Sequence, residues 1–109
     1  MAAALNSPVF HILLALSQRD LHGLGIAEQV EAATGGAVEL GPGTLYWSLK
    51  EMAAGGLIRE VSAPEEDADP RRRYYALTAR GRRVAAEEAE RMERIVQVAR
   101  ERKLLPRRA

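Results

Sequence analysis

The chain contains no cysteine. Disulfides and thiolate zinc sites are therefore excluded, a composition that fits a reducing cytosol. It has only two histidines, His11 and His22, and no Ser–His–acid spacing or phosphate-binding loop, so neither an enzyme nor a metal or cofactor site is expected. The glycines fall at the ends of helical stretches, where capping explains them. No apolar run approaches the roughly 20 residues needed to cross a bilayer. The opening residues, Met-Ala-Ala-Ala-Leu-Asn-Ser-Pro, lack the basic flank of a signal peptide. A cytoplasmic protein with no membrane partner is the expectation. Excess charge is missing too: the formal net charge is +1, so total charge lends little to nucleic-acid binding.

The hydrophobic fraction of 47% argues against disorder. A length of 109 residues allows one small domain, of a size that often gains stability by pairing. The charge that is present is polarised. Before Gly56, Arg19 and Lys50 face Asp20, Glu28, Glu31, Glu39 and Glu51. Arginine then concentrates at Arg71, Arg72, Arg73, Arg80, Arg82 and Arg83, and a second basic group closes the chain at Arg100, Arg102, Lys103, Arg107 and Arg108. Distribution, not total, is what steers a charged partner.

Ser7-Pro8 reads as a helix start, with Ser7 as the cap. The helix that follows is apolar on most of its circumference (Val9, Phe10, Ile12, Leu13, Leu14, Ala15, Leu16). Such a helix must be covered on more than one side, so Val9, Phe10 and Leu13 are assigned to contact with a second copy of the chain. His11 is its polar break and reads as a packed or interfacial residue. Leu21-His22-Gly23 reads as a turn, and a second helix as running from Leu24 to Ala33, closed by Thr34-Gly35-Gly36. Ala37–Leu40 could add an edge strand. Gly41-Pro42-Gly43 leads into a third helix, Gly43 to Ala54, with Leu45, Leu49, Met52 and Ala53 on one face and Gly43, Trp47, Lys50 and Ala54 opposite. Two short helices joined by a brief turn, the second with a polar outer face, describe a helix-turn-helix.

Leu57–Ser62 and Arg71–Leu77 then read as two strands of a hairpin. The loop between them carries Glu65, Glu66, Asp67 and Asp69, which a nucleic-acid backbone would repel, so it is expected to point away or stay mobile. Thr78 caps a last helix from Ala79 to Leu104. Gly81 in its first turn suggests close approach to another backbone. Ala85, Ala89, Met92, Val96, Ala99 and Lys103 recur at spacings of four and three, a coiled-coil-like seam widened by Ile95 and Val98. A second copy is the economical partner for that seam. Pro106–Ala109 is expected to fray.

The fold class is thus mainly α with a small β-hairpin: a winged helix-turn-helix domain over residues 1–78, then a C-terminal dimerisation helix with a short basic tail over 79–109. On the outer face, Lys50 can reach a phosphate or a guanine, and Tyr46 can give its hydroxyl to a phosphate or pack under the wing. Gly43 and Thr44 lie at a helix N-terminus, a natural phosphate site. Arg71, Arg72, Arg73 and Tyr74 lie along the wing. Trp47 reads equally as a dimer-rim residue, a base contact or a pocket wall. A winged helix used for protein docking, with little DNA affinity, is the alternative that the near-neutral charge allows.

Leu21-His22-Gly23, Thr34-Gly35-Gly36, Pro42-Gly43-Thr44-Leu45-Tyr46, Gly56-Leu57-Ile58 and Arg73-Tyr74-Tyr75-Ala76-Leu77-Thr78-Ala79-Arg80-Gly81 resemble the PadR-like transcriptional regulators. The likeness runs from Phe10 to Arg83. It implies a homodimer built through the last helix that binds a palindromic DNA operator, usually as a repressor, with some members released by a small-molecule effector. The single short C-terminal helix resembles the compact branch. By the resemblance, Thr44, Tyr46 and Lys50 fall on the DNA-facing helix and Arg72, Arg73 and Tyr74 on the wing. Trp47 departs from the family, which often has Pro or another residue there. The last helix has no aromatic residue, so the aromatic-sandwich pocket of the compact branch is not supported.

Overall fold

The structure is a computed structural model that describes residues 6–67 and 69–106. The chain start at 1–5 and the tail beyond Pro106, including Arg107 and Arg108, lie outside them. The element order is α1 (Ser7–Leu16), β1 (Leu21–His22), α2 (Gly23–Ala33), α3 (Pro42–Ala54), β2 (Ile58–Val61), β3 (Tyr74–Leu77) and α4 (Ala79–Glu101). This is the expected winged helix-turn-helix followed by a long last helix.

The core forms where the apolar faces of α1, α2 and α3 meet the start of β2. Ile12, Leu13, Leu16, Ile26, Val30, Leu45, Leu49, Met52 and Ile58 make one buried cluster. Leu45, Leu49 and Met52 are the i, i+4, i+7 stripe of α3 that the wheel predicts. Ala53, expected with them, is exposed. Leu13 is completely enclosed and Phe10 nearly so within a single chain. Their assignment to contact with a second copy is thereby corrected, because a side chain with no accessible surface has nothing left to offer a partner. Leu14 is the large apolar residue of α1 that stays exposed.

Several local readings change, among them the second wing strand, which begins at Tyr74 rather than Arg71. Asn6, not Ser7, caps α1: its side chain accepts from the Val9 N–H at 3.0 Å, and Ser7 is the first helical residue. Leu21-His22 is a strand rather than a turn. It pairs antiparallel with β3, giving a three-stranded sheet in the order β1-β3-β2 instead of a two-stranded hairpin. Ala37–Leu40 forms no strand. Its Val38 N–H bonds instead to the Thr34 hydroxyl at 3.1 Å, which folds the segment back on the end of α2.

The turn after α3 and the start of α4 are locked together. Gly56 takes a φ of 77°, a conformation costly for other residues, and this lets the Leu57 N–H reach back to the Met52 carbonyl at 2.9 Å. Thr78 caps α4 by accepting from Gly81 N–H at 3.0 Å and donates to the Gly56 carbonyl at 2.6 Å. A Cβ on Gly81 would overlap the Leu57 carbonyl oxygen, which is the close backbone approach foreseen for it. Arg80 donates from Nε to the Gly55 carbonyl at 3.1 Å, and Arg82 from Nη2 to the Ser17 carbonyl at 3.3 Å. Two arginines of the basic group thus serve the C-terminal ends of α3 and α1, where cations are favoured.

Candidate nucleic-acid interface

The outer face of α3 is open. Gly43, Thr44, Tyr46, Trp47 and Lys50 are all exposed, Tyr46 to 57% and Trp47 to 61%. Gly41 caps α3 with no side-chain bond, and Pro42 occupies the first turn. The helix therefore begins with backbone N–H groups that no side chain satisfies. Tyr46 does not stand free. Its ring lies over Gly23, at the first residue of α2.

The wing approaches the same face. Tyr46, His22, Gly23 and Leu24 line a cleft of about 420 Å³ whose other wall is Asp69, Arg71, Arg72, Arg73 and Tyr75. The sequence-predicted helix residue Tyr46 and the three wing arginines are thus brought together. Thr44, Trp47 and Lys50 lie on the exposed helix face but do not line that cleft.

The acidic loop carries carboxylates that bond within the wing. It folds back onto the wing, because the wing supplies donors and countercharge for its carboxylates. Asp67, with a side chain only 6% exposed, accepts from the Tyr74 hydroxyl at 2.7 Å and from the Asp69 N–H at 3.0 Å. Arg72 Nη1 lies 3.5 Å from the same carboxylate. Asp69 accepts from the Arg71 N–H at 2.9 Å and from Arg71 Nε at 3.2 Å. Just before β3, Arg73 Nε lies 3.8 Å from Glu60 of β2, diagonal to the Glu60–Tyr75 pair. Glu65 and Glu66 remain exposed. The Tyr74 bond, the Asp69 N–H and the nearby Arg72 guanidinium hold Asp67 below the usual aspartate range. The Arg71 side chain and backbone do the same for Asp69. Tyr74 is pushed up in turn, first by its bond to Asp67.

Tyr74 is therefore turned to Asp67, its ring packed T-shaped with His22 at a centroid distance of 5.2 Å. The His22 Nδ1 accepts from the Gly25 N–H at 3.1 Å and caps α2. Sequence reasoning took His22 for a turn residue. The signal that was available is a polar side chain three residues before the second glycine of a helix start.

On α4, Met92, Ile95 and Val98 are exposed, as is Ala89, while Val96 and Ala99 are half-buried. Val9 and Ala85 pack partly on the chain's own core. Among these apolar residues sits Glu88, buried, accepting from Arg91 Nε and Nη2 at 2.6 and 3.1 Å. Its charge was not foreseen on that face, since the seam was traced through its alanine neighbours. No group of three or more metal-ligating side chains occurs among the described residues, and no described helix is long and apolar enough to cross a membrane.

Comparison with known proteins agrees with this geometry. A 37.1 kDa protein of transposon TN4556 from Streptomyces fradiae is 37% identical over 90 residues. That match covers 83% of this chain and 24% of the relative, so the chain spans about a quarter of that protein's length. A PadR family transcription regulator from Clostridium difficile R20291 superposes with a TM-score of 0.76 at 28% identity, covering 88% of this chain and 97% of the other. Bacillus subtilis PadR, solved in complex with operator DNA, superposes with a TM-score of 0.65 at 20% identity, covering 75% of this chain and 46% of the other, a likeness of fold. The profile of the transcriptional regulator PadR-like family matches residues 12–87, which take in the three-helix core, the wing and the start of α4. The chain belongs to the PadR-like family, whose members are transcriptional regulators and not enzymes.

Proposed function

We propose that the chain acts as a homodimeric, sequence-specific DNA-binding repressor in the cytoplasm. The observation that carries this reading is the convergence of Tyr46, at the exposed face of α3, with Arg71, Arg72 and Arg73 around one open cleft. In this reading α3 enters a major groove, where Lys50 and Trp47 meet base edges. Thr44 and the uncapped N–H groups of Gly43 and its neighbours meet a phosphate. The cleft between Tyr46 and the wing takes the adjacent backbone. The Met92, Ile95 and Val98 stripe of α4 pairs with its copy, together with Ala89, Val96 and Ala99 at its margins. Two α3 faces then lie about 34 Å apart, one turn of B-DNA.

Selection of bound sequences from a random duplex pool tests the reading. An inverted repeat is the expected product, with affinity that falls steeply with salt. Repeating the selection with candidate small molecules tests release by an effector. The Lys50→Ala/Arg72→Ala double variant should lose affinity and keep its oligomeric state. Operator binding equal to wild type would overturn the assignment of this face.

One observation favours a second reading, a docking module with weak DNA affinity. Each wing arginine already has an acidic neighbour: Asp69 for Arg71, Asp67 and Asp69 for Arg72, Glu60 for Arg73. Absence of any enriched sequence at low salt, with a protein partner co-purifying, would support that reading instead.

A further inference from the structure

Resting on the DNA-binding reading, we propose that Asp67 is a positioning residue of the wing: it fixes Tyr74 and Arg72 so that the arginine edge is set before DNA arrives. Asp67 never touches DNA in this scheme. It belongs to the acidic loop, yet its carboxylate is almost wholly enclosed, while the Arg72 side chain beside it is 43% exposed. An acid placed to compete with phosphate would be open to solvent and close to the guanidinium. Asp67 is neither. Its short bonds run to the Tyr74 hydroxyl and the Asp69 N–H, at 2.7 and 3.0 Å, and the Arg72 contact is the longest at 3.5 Å. Short hydrogen bonds to an ionised acceptor are the strong ones, so the carboxylate is committed first to shaping the turn.

The consequence runs in two directions. Toward the domain, Tyr74 is held T-shaped against the His22 ring, and His22 caps α2. The tip of the wing is thereby tied to the first helix of the helix-turn-helix. Toward solvent, Arg72 is steered by Asp67 at Nη1, with Asp69 4.0 Å from Nε, and keeps Nη2 for a phosphate. A guanidinium ordered in advance gives up less side-chain freedom on binding. Asp69 is the contrast: it is more exposed and bonds mainly to the outward Arg71.

The test uses Asp67→Ala, Asp67→Asn and Tyr74→Phe, titrated into a fluorescein-labelled mixed-sequence DNA duplex across a salt series. Asparagine can keep the turn: its oxygen accepts from the Asp69 N–H, and its amide can donate to the Tyr74 oxygen. Asp67→Ala and Tyr74→Phe should each weaken binding about five- to tenfold. The double variant Asp67→Ala/Tyr74→Phe should be no weaker than Asp67→Ala. Loss of an ordered Arg72 should lower the slope of log K against log salt in Asp67→Ala by about 0.9. Asp67→Asn should restore both affinity and slope. A fraction of unfolded protein lowers apparent affinity without changing that slope, so the slope separates positioning from damage. Asp67→Asn as weak as Asp67→Ala would overturn the proposal. So would tighter binding by both, which marks a charge that competes with phosphate, or wild-type affinity and slope in Asp67→Ala. A wild-type chain that binds no duplex at any salt overturns the DNA reading itself, a result distinct from all of these.

Discussion

Tyr46 rests on Gly23 so closely that a Cβ at Gly23 would come 3.0 Å from the tyrosine hydroxyl oxygen and 3.1 Å from its Cε1. The start of α2 is thus a notch for a side chain of α3, and the direction of an exposed tyrosine is set by a residue on the other helix. Gly23→Ala should therefore separate stability from binding. The atoms it would meet belong to the outer end of a flexible side chain, which can swing aside. Urea unfolding should move by no more than ~1 kcal/mol, with alanine in a helix also gaining from a less flexible unfolded chain. DNA affinity should fall several-fold as Tyr46 leaves its place. Unchanged affinity would mean that Tyr46 contributes nothing in this orientation.

The parts of the fold that were legible in the sequence are those where one local rule decides. The Leu45, Leu49 and Met52 stripe, the Thr78 cap and the crowding at Gly81 each follow from period or capping chemistry. What was not legible depends on partners distant in the chain. Leu21-His22 has no strand pattern of its own and becomes one because Tyr74 and Tyr75 lie beside it. Leu13 is apolar like its neighbours, and only packing decides that it faces inward while Leu14 faces out. The acidic loop shows only its charge in the sequence, not the partners of its carboxylates. The carboxylates of Asp67 and Asp69 are taken up by donors on Tyr74, Arg71 and Arg72, while Glu65 and Glu66 stay exposed.

Leu13 and Ile95 should give opposite results. Leu13→Ala opens a cavity in a core with no accessible surface, and a loss of ~2–5 kcal/mol is expected. The protein that remains folded should keep its oligomeric state. Ile95 is 55% exposed on α4. Ile95→Glu should leave the fold intact and shift sedimentation equilibrium from dimer to monomer. Its melting temperature should then lose any dependence on protein concentration. A wild-type chain that sediments as a monomer would refute the pairing of α4.

Acid should loosen the wing before the domain. The native pKa values of Asp67 and Asp69 are held below their usual 3.8, so these groups stabilise the folded form by staying ionised. That contribution is complete above the usual value and declines as pH falls through the depressed native values. No change in wing order is expected between pH 5 and 8 from this source. Side-chain carboxyl shifts followed by NMR from pH 6 downward should show both aspartates titrating late. Tyr74, held up by its bond to Asp67, should in the same way lose its proton only above its usual 10. Ordinary titration of Asp67 would contradict the 2.7 Å bond to Tyr74.

Gly81→Ala should be the most damaging of the conservative changes. Alanine ordinarily favours a helix over glycine by ~1 kcal/mol, and Gly81 lies in the first turn of α4. Propensity alone therefore predicts stabilisation. The added methyl would overlap the Leu57 carbonyl oxygen, and it would also lie 2.8 Å from Leu77 Cδ1. Leu57 cannot retreat easily, because its carbonyl accepts from the Thr78 N–H at 3.2 Å and its own N–H is bound to Met52. The contact is with backbone, so α4 has to move as a body and strain the Thr78 cap and the Arg80 bond to the end of α3. A net destabilisation of ~2–4 kcal/mol is expected, since overpacking outweighs propensity here. Urea unfolding of the single variant measures it, and a stabilised protein would show that α4 docks on β2 less tightly than the Leu57 contact requires.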